Sequence, residues 1–243
     1  MKIAYGHHAQ FPGWPMAAPR FLSSIVERES CTSVMEIGSG ANPTLSPTEI
    51  DTRGLRYTTN DLSASELAKA GPAYETLLLD MVTASPAALP REAFDLVFSR
   101  MVNEHVADGE RYHRNIFDVL RPGGVAVHCF STLYALPFVV NRLLPERVAS
   151  RALDVFFPRD RYQQDKFPAR YSWSRGPSKR MIERLSRLGY EIIEYHGYFG
   201  HDYYNRPAFR PVRMLEEAKS AWLCHHPIPA LTSYAVVILR KPR

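Results

Sequence analysis

Residues 34–43 read VMEIGSGANP, an apolar run that breaks into small residues just after an acid, Glu36. Gly38 and Gly40 let a backbone come close to a ligand with no Cβ in the way. A dinucleotide cradle follows G-x-G-x-x-G, whose third glycine eases helix packing against the strand. Here Pro43 stands where that glycine belongs, and Glu36 would repel a phosphate. A carboxylate followed by two glycines suits a ligand that carries positive charge, although a plain strand-to-helix turn uses the same residue types. Further acids close two later apolar runs: Asp61 in TTNDLS (58–63) and Asp80 in LLLDM (77–81).

The positioning elements are legible as short apolar runs between segments of 10–25 residues, the pattern of βαβ units on a parallel sheet. Strands are expected at 33–38, 55–61, 75–80, 94–100 and 124–130, then at 190–199 and 233–242. Helices are expected over 103–120, stopped by RPGG (121–124), and over 177–188, with Pro177 near its first turn and Gly189 at its end. The last two strands read as a hairpin separated by an irregular stretch. Residues 131–175 break the alternation and read as a helical insertion or lid after the fifth strand. The whole chain, 1–243, reads as a single domain with an N-terminal segment, 1–30.

In this order the motifs resemble the class I S-adenosylmethionine-dependent methyltransferases. EIGSG matches that family's acid, hydrophobic residue and Gly-x-Gly. FDLVFSRMVNEHV (94–106) resembles the fourth motif, LRPGG (120–124) the turn before strand five, and SYAVVILRKP (233–242) the seventh strand. The likeness spans roughly 30–130 and 165–243. It implies a doubly wound α/β fold with a seven-stranded, mostly parallel sheet of order 3-2-1-4-5-7-6, the last strand antiparallel. It also implies S-adenosyl-L-methionine as cofactor. The acid Glu36 would help hold the cofactor's amino end, and Gly38, Ser39 and Gly40 would lie under its methionine part and ribose. Asp61 or its neighbour Asn60 would meet the ribose hydroxyls, beside Leu62. Asp80 would contact the adenine and Met81 would flank the ring. Ser99 and Arg100, at the end of the fourth strand, would complete the set.

The activity so implied is methyl transfer to a hydroxyl or amine of a small molecule, with a sugar, lipid-linked or natural-product intermediate as the acceptor. A histidine suits proton removal near neutral pH. His105 is the catalytic candidate, against a structural role; Glu104 beside it is the lesser candidate for the same base, against simple pairing with an arginine. The substrate-binding candidates are His7, His8, Tyr198, His201 and Tyr203, with Tyr204 near them. The alternatives are a frayed tail for His7 and His8 and plain core for some of the rings. His225 and His226 are consecutive and face different ways, so no metal site is expected. Two other functions remain open: a nicotinamide-dependent oxidoreductase and a non-catalytic cofactor-binding module.

Bulk properties agree with a globular enzyme. Of 243 residues 45% are hydrophobic and 23% charged, a balance that excludes disorder. The net charge of +5 is spread out, so no nucleic-acid partner is implied. Cys31, Cys129 and Cys224 fit no metal spacing and read as reduced thiols. With no apolar signal core in residues 1–14, a cytoplasmic location is expected. The longest apolar stretch, 133–144, is interrupted by Pro137, Asn141 and Arg142. Residues 131–175 nonetheless leave open a peripheral membrane contact beside a small-molecule acceptor.

Overall fold

The computed structural model describes residues 1–133, 168–202 and 210–243. An eight-stranded sheet forms the middle layer: β1 (Lys2–His7), β2 (Ser33–Ile37), β3 (Arg56–Asp61), β4 (Glu75–Leu78), β5 (Phe94–Arg100), β6 (Leu120–Ser131), β7 (Glu191–Phe199) and β8 (Tyr234–Arg240). Its spatial order is β1-β7-β8-β6-β5-β2-β3-β4. All neighbours pair in parallel except β8, which runs antiparallel to both β6 and β7. Removing β1 leaves the seven-stranded order expected from the sequence. The extra strand comes from the N-terminal segment and adds in parallel to the edge of β7, with Tyr5 stacked on Phe199 at 5.8 Å.

The central strands are apolar because both faces are covered; every residue of β2 is buried. On one face α1 (Ala18–Glu29) inserts Leu22, Ile25 and Val26, with Phe11, against Val34, Phe98 and Val127. On the other, α4 (Gly109–Val119) and α5 (Lys179–Arg187) pack Ile116, Met181 and Leu185 against Met35, Val97 and Ala126. The alternation of side chains along each strand sorts them between these two cores. Two short helices follow β2 and β3: α2 (Pro47–Thr52), which opens with a Ser46/Glu49 capping box, and α3 (Ala64–Ala70), capped by Ser63. A sixth helix, α6 (Arg210–His225), lies against β1 and β7.

Three expectations change. The helix expected over 103–120 splits into a single 3-10 turn, Asn103–His105, and α4, because Asp108 caps the backbone of Arg111 and starts the helix afresh. RPGG stops α4 but belongs to β6: Leu120 already pairs with Phe94, and the register resumes at Val125 opposite Leu96. The stretch between the last two strands holds α6 rather than an irregular hairpin connection. Most of the insertion expected at 131–175, and with it the membrane contact, lies outside the described residues, as do Tyr203 and Tyr204.

Candidate active site

The carboxyl ends of the parallel strands share one rim of the sheet, where ligands bind in open α/β folds. Leaving β2, Gly38 takes a left-handed φ of +67° and donates its N–H to Asn60 O at 2.7 Å. A Cβ there would stand 2.4 Å from Val102 Cγ2, so the loop lies directly against the turn that follows β5. At Gly40, φ +46°, a Cβ would stand 3.2 Å from Asp61 Oδ2. The glycine loop thus bridges the ends of β3 and β5.

Glu36 is fully buried, and both its oxygens are engaged within the chain. Oε2 accepts from Thr44 N at 2.8 Å and from Tyr57 Oη at 2.5 Å, while Oε1 accepts from Thr44 Oγ1 at 2.5 Å. Burial raises its pKa, and the hydrogen bonds from Thr44 and Tyr57 oppose the rise. Its evident role is to tie down the far end of the glycine loop. Thr44 and Tyr57 are the partners that sequence reading missed, since nothing in their spacing marks them.

The acids at the next two strand ends differ. Asp61 Oδ1 accepts from Ser63 N at 2.9 Å, and Oδ2, beside Gly40, has no hydrogen-bond partner among the described residues. Asn60 points the other way, as strand alternation requires, and its amide donates to Leu77 O and Leu79 O at 2.8 and 2.9 Å. Asp61 therefore faces the glycine loop, and Asn60 ties β3 to β4 and the residue beyond it. Leu62 is exposed at the rim. Asp80 accepts from Val82 N and Thr83 Oγ1, both at 2.8 Å, and so closes its own turn. Met81 is buried in the core on the α4 side rather than open to a ligand.

Ser99 is also interior. Its Oγ lies 2.7 Å from His128 Nδ1 and 3.2 Å from Asn103 Oδ1. His113 and His128 meet there with ring centroids 5.0 Å apart. Burial drives His113 down to about 3 and His128 well below its ordinary value. Arg100 is half-buried, and its Nε has no hydrogen-bond partner among the described residues. In the turn after β5, His105 is exposed, with Nδ1 3.4 Å from Pro168 O. Glu104 is 4% exposed; its Oε1 accepts from Ser131 Oγ at 2.9 Å, and the expected arginine partner is absent among the described residues.

The remaining histidines form a separate group at the other end of the rim. His7 Nε2 lies 3.4 Å from Glu217, His8 Nε2 3.3 Å from Asp202 and His201 Nε2 3.6 Å from Glu216. The His7 and His8 rings meet at 4.3 Å. Four strand spacings separate β7 from β2, roughly 19 Å at about 4.8 Å each. Tyr198 packs edge-on against Phe11 at 5.5 Å and belongs to the core. His226 stacks on Trp222 at 4.7 Å. The sheet therefore does not bring His7, His8, Tyr198 and His201 to the glycine loop. His7 and His8 are candidates through the resemblance, as part of an N-terminal segment, and Tyr198 and His201 through the aromatic-rich stretch 196–207; neither signal carries strand order.

The geometry narrows the families that fit, and the sequence match decides among them: residues 35–128 match the family model described as a methyltransferase domain. That match covers 94 of the 243 residues. The match and the fold support a class I, S-adenosylmethionine-dependent methyltransferase with S-adenosylmethionine as cofactor. Solved structures share the fold of this chain at low identity. An S-adenosylmethionine-dependent methyltransferase from Mesorhizobium loti is 18% identical, with 96% of this chain and 99% of that one covered and a TM-score of 0.53. Phosphoethanolamine N-methyltransferase 2 from Haemonchus contortus, solved with S-adenosyl-L-methionine, is 17% identical over 92% of this chain and 53% of that one, TM-score 0.53. The cyclase SpnF is 17% identical over 94% and 82%, TM-score 0.52. No curated protein matches in sequence. Nothing among these matches carries the nicotinamide-dependent alternative.

The residues at the rim fit such a cofactor. Asp61 Oδ2 lies beside Gly40, and Ser39 Oγ and Arg100 Nε are buried polar atoms without partners among the described residues. Buried polar atoms left unpaired by the chain are costly unless a ligand or water pairs them. Among the described residues no helix is long and apolar enough to cross a membrane.

Proposed function

We propose that this chain transfers the methyl group of S-adenosylmethionine to a hydroxyl or amine of a small molecule. The observation that carries this reading is the unpartnered Asp61 Oδ2 beside the left-handed Gly40, at the carboxyl end of a parallel strand. A carboxylate oxygen there accepts hydrogen bonds from vicinal sugar hydroxyls, and a glycine lets the sugar approach. When bound, the cofactor supplies an already activated methyl group, so the chain's work is alignment, which contributes several kcal/mol. Gly38 and Gly40 shape the floor, Thr44 and Glu36 hold it, and Ser39 and Arg100 offer polar atoms to the ligand. The acceptor would lie beyond β5, toward β6, on the side of the loop away from Asp61. His105 is exposed at this rim and stands as a surface residue of the site rather than its interior base.

The test is direct. The purified chain is incubated with S-adenosylmethionine labelled in its methyl group and a pool of small alcohols, phenols and amines, and products are read by mass spectrometry. Label in a small-molecule product that disappears with Asp61→Ala supports the reading. S-adenosylhomocysteine binding with no labelled product from any such pool would favour a non-catalytic cofactor-binding module.

A further inference from the structure

The turn after β5 presents successive side chains in opposite directions. His105 faces outward and Glu104 faces the interior. One carboxylate oxygen of Glu104 is held by Ser131 at the end of β6, while the other, Oε2, is buried with no partner among the described residues. Its main-chain carbonyl accepts from Arg170 N at 2.6 Å and Tyr171 N at 2.8 Å, which pins the backbone of the turn on that side. Among the described residues no lysine or arginine pairs with the carboxylate. Ser131 and the attraction of His105 offset part of the desolvation of Glu104, but Oε2 itself has no hydrogen-bond donor among the described residues. Such an oxygen is understandable where a ligand supplies the missing donor.

The position fits a reacting end. Val102, two residues before Glu104, is the residue that touches the glycine loop at Gly38. Along the rim the order β3-β2-β5-β6 sets Asp61 at one side of that loop and the Glu104–Ser131 pair at the other, about 14 Å across three strand spacings. A nucleoside held by its sugar at Asp61 and lying across the loop directs its other end toward β5.

Resting on the function proposed above, we propose that Glu104 receives the methyl acceptor: Oε2 accepts a hydrogen bond from the acceptor's O–H or N–H and takes that proton during transfer. The acceptor is accordingly an alcohol, phenol or amine. In the step, a lone pair on the acceptor oxygen or nitrogen forms the new bond to the methyl carbon as the carbon–sulfur bond breaks. The sulfonium leaves as a neutral thioether, and the acceptor's proton passes to Oε2 and from there to water. Burial raises the pKa of Glu104, so its ionised carboxylate is a stronger proton acceptor than an exposed one.

The test needs no knowledge of the natural acceptor. Sinefungin carries an amine on carbon where S-adenosylmethionine carries methyl on sulfur, so it presents N–H donors to whatever receives the acceptor. Calorimetry compares sinefungin with S-adenosylhomocysteine, which lacks any such donor. The wild-type chain is expected to prefer sinefungin by about tenfold or more, the scale of a charge-assisted hydrogen bond. Glu104→Gln removes most of that preference and leaves S-adenosylhomocysteine affinity unchanged; Glu104→Asp keeps part of it. A wild-type chain that binds both equally, or a Glu104→Gln chain that keeps the full preference, overturns the inference while the cofactor reading stands. A wild-type chain that binds neither overturns the cofactor reading as well. If Glu104→Gln fails to fold, the wild-type comparison and Glu104→Asp decide.

Discussion

Replacing Glu36 separates two roles for the acid of the first motif: touching the ligand and holding the loop. In the structure three buried hydrogen bonds converge on its carboxylate, from Thr44 N, Thr44 Oγ1 and Tyr57 Oη. Glu36→Ala leaves all three donors unpaired in the interior. At about 1 kcal/mol or more for each orphaned group, plus a cavity, the loss is about 3–5 kcal/mol of stability. Glu36→Gln is different. Its amide oxygen can keep Thr44 N and Tyr57 Oη, and the Thr44 hydroxyl can rotate to accept from the new NH2 group. The loss should stay under about 1.5 kcal/mol, helped by no longer burying a charge. Urea unfolding measures both values, and calorimetry with S-adenosylhomocysteine measures the loop. Glu36→Gln is expected to bind within about threefold of the wild type and Glu36→Ala at least about tenfold more weakly, because the segment 38–44 loses its anchor. The reasoning is refuted if Glu36→Gln unfolds like the wild type yet loses affinity as severely as Glu36→Ala, for then the charge itself meets the ligand.

Gly38→Ala combines a left-handed φ, worth about 1–2 kcal/mol against a Cβ, with a 2.4 Å collision at Val102 Cγ2. Urea unfolding should show a loss of about 2–4 kcal/mol, and adding Val102→Ala should return the collision part while leaving the backbone part. Acid should unfold the protein early, because His113 stays neutral in the fold until about pH 3 whereas the unfolded chain takes its proton near pH 6.5. The unfolded state then binds more protons, so stability falls as pH drops below about 6.5, by about 2 kcal/mol at pH 5 for this residue alone. Denaturation of His113→Phe at pH 7 and pH 5 should show a correspondingly flatter slope, and an unchanged slope would place the acid sensitivity elsewhere.

Strands β2, β5, β6 and β8 were legible because their apolar runs are continuous and short, as strands buried on both faces must be, while β3 and β4 were marked by the acids that follow their runs. The glycine loop was legible because two positive-φ positions demanded glycine. What the sequence concealed follows from physics of a different range. β1 is an edge strand whose partner β7 lies some 190 residues away in the chain, and its pattern KIAYGH has no buried run to announce it. Helix α6 buries only Ser220 and Leu223, so it carries almost no apolar periodicity to detect. Asn60 and Asp61 are adjacent and chemically similar; only the strand's pleat decides that one ties β3 to its neighbour and the other faces the loop. The same ambiguity governs Glu104 and His105. The titration range of histidine favoured His105 from sequence, yet the turn geometry exposes it and buries the acid beside it. His7, His8 and His201 do share a rim with the glycine loop, but strand order, which composition does not encode, sets them at the opposite end.

The proposed function requires Asp61 Oδ2 and the glycine loop to form one face of a cofactor pocket. Isothermal titration of S-adenosylhomocysteine into the wild-type chain and Asp61→Ala tests this most directly. One-site binding is expected in the wild type, weakened by about tenfold or more in Asp61→Ala through loss of charge-assisted bonds to the hydroxyls, with the unfolding free energy little changed at this half-buried position. Equal affinity in the two, or no binding to the wild type, would contradict it.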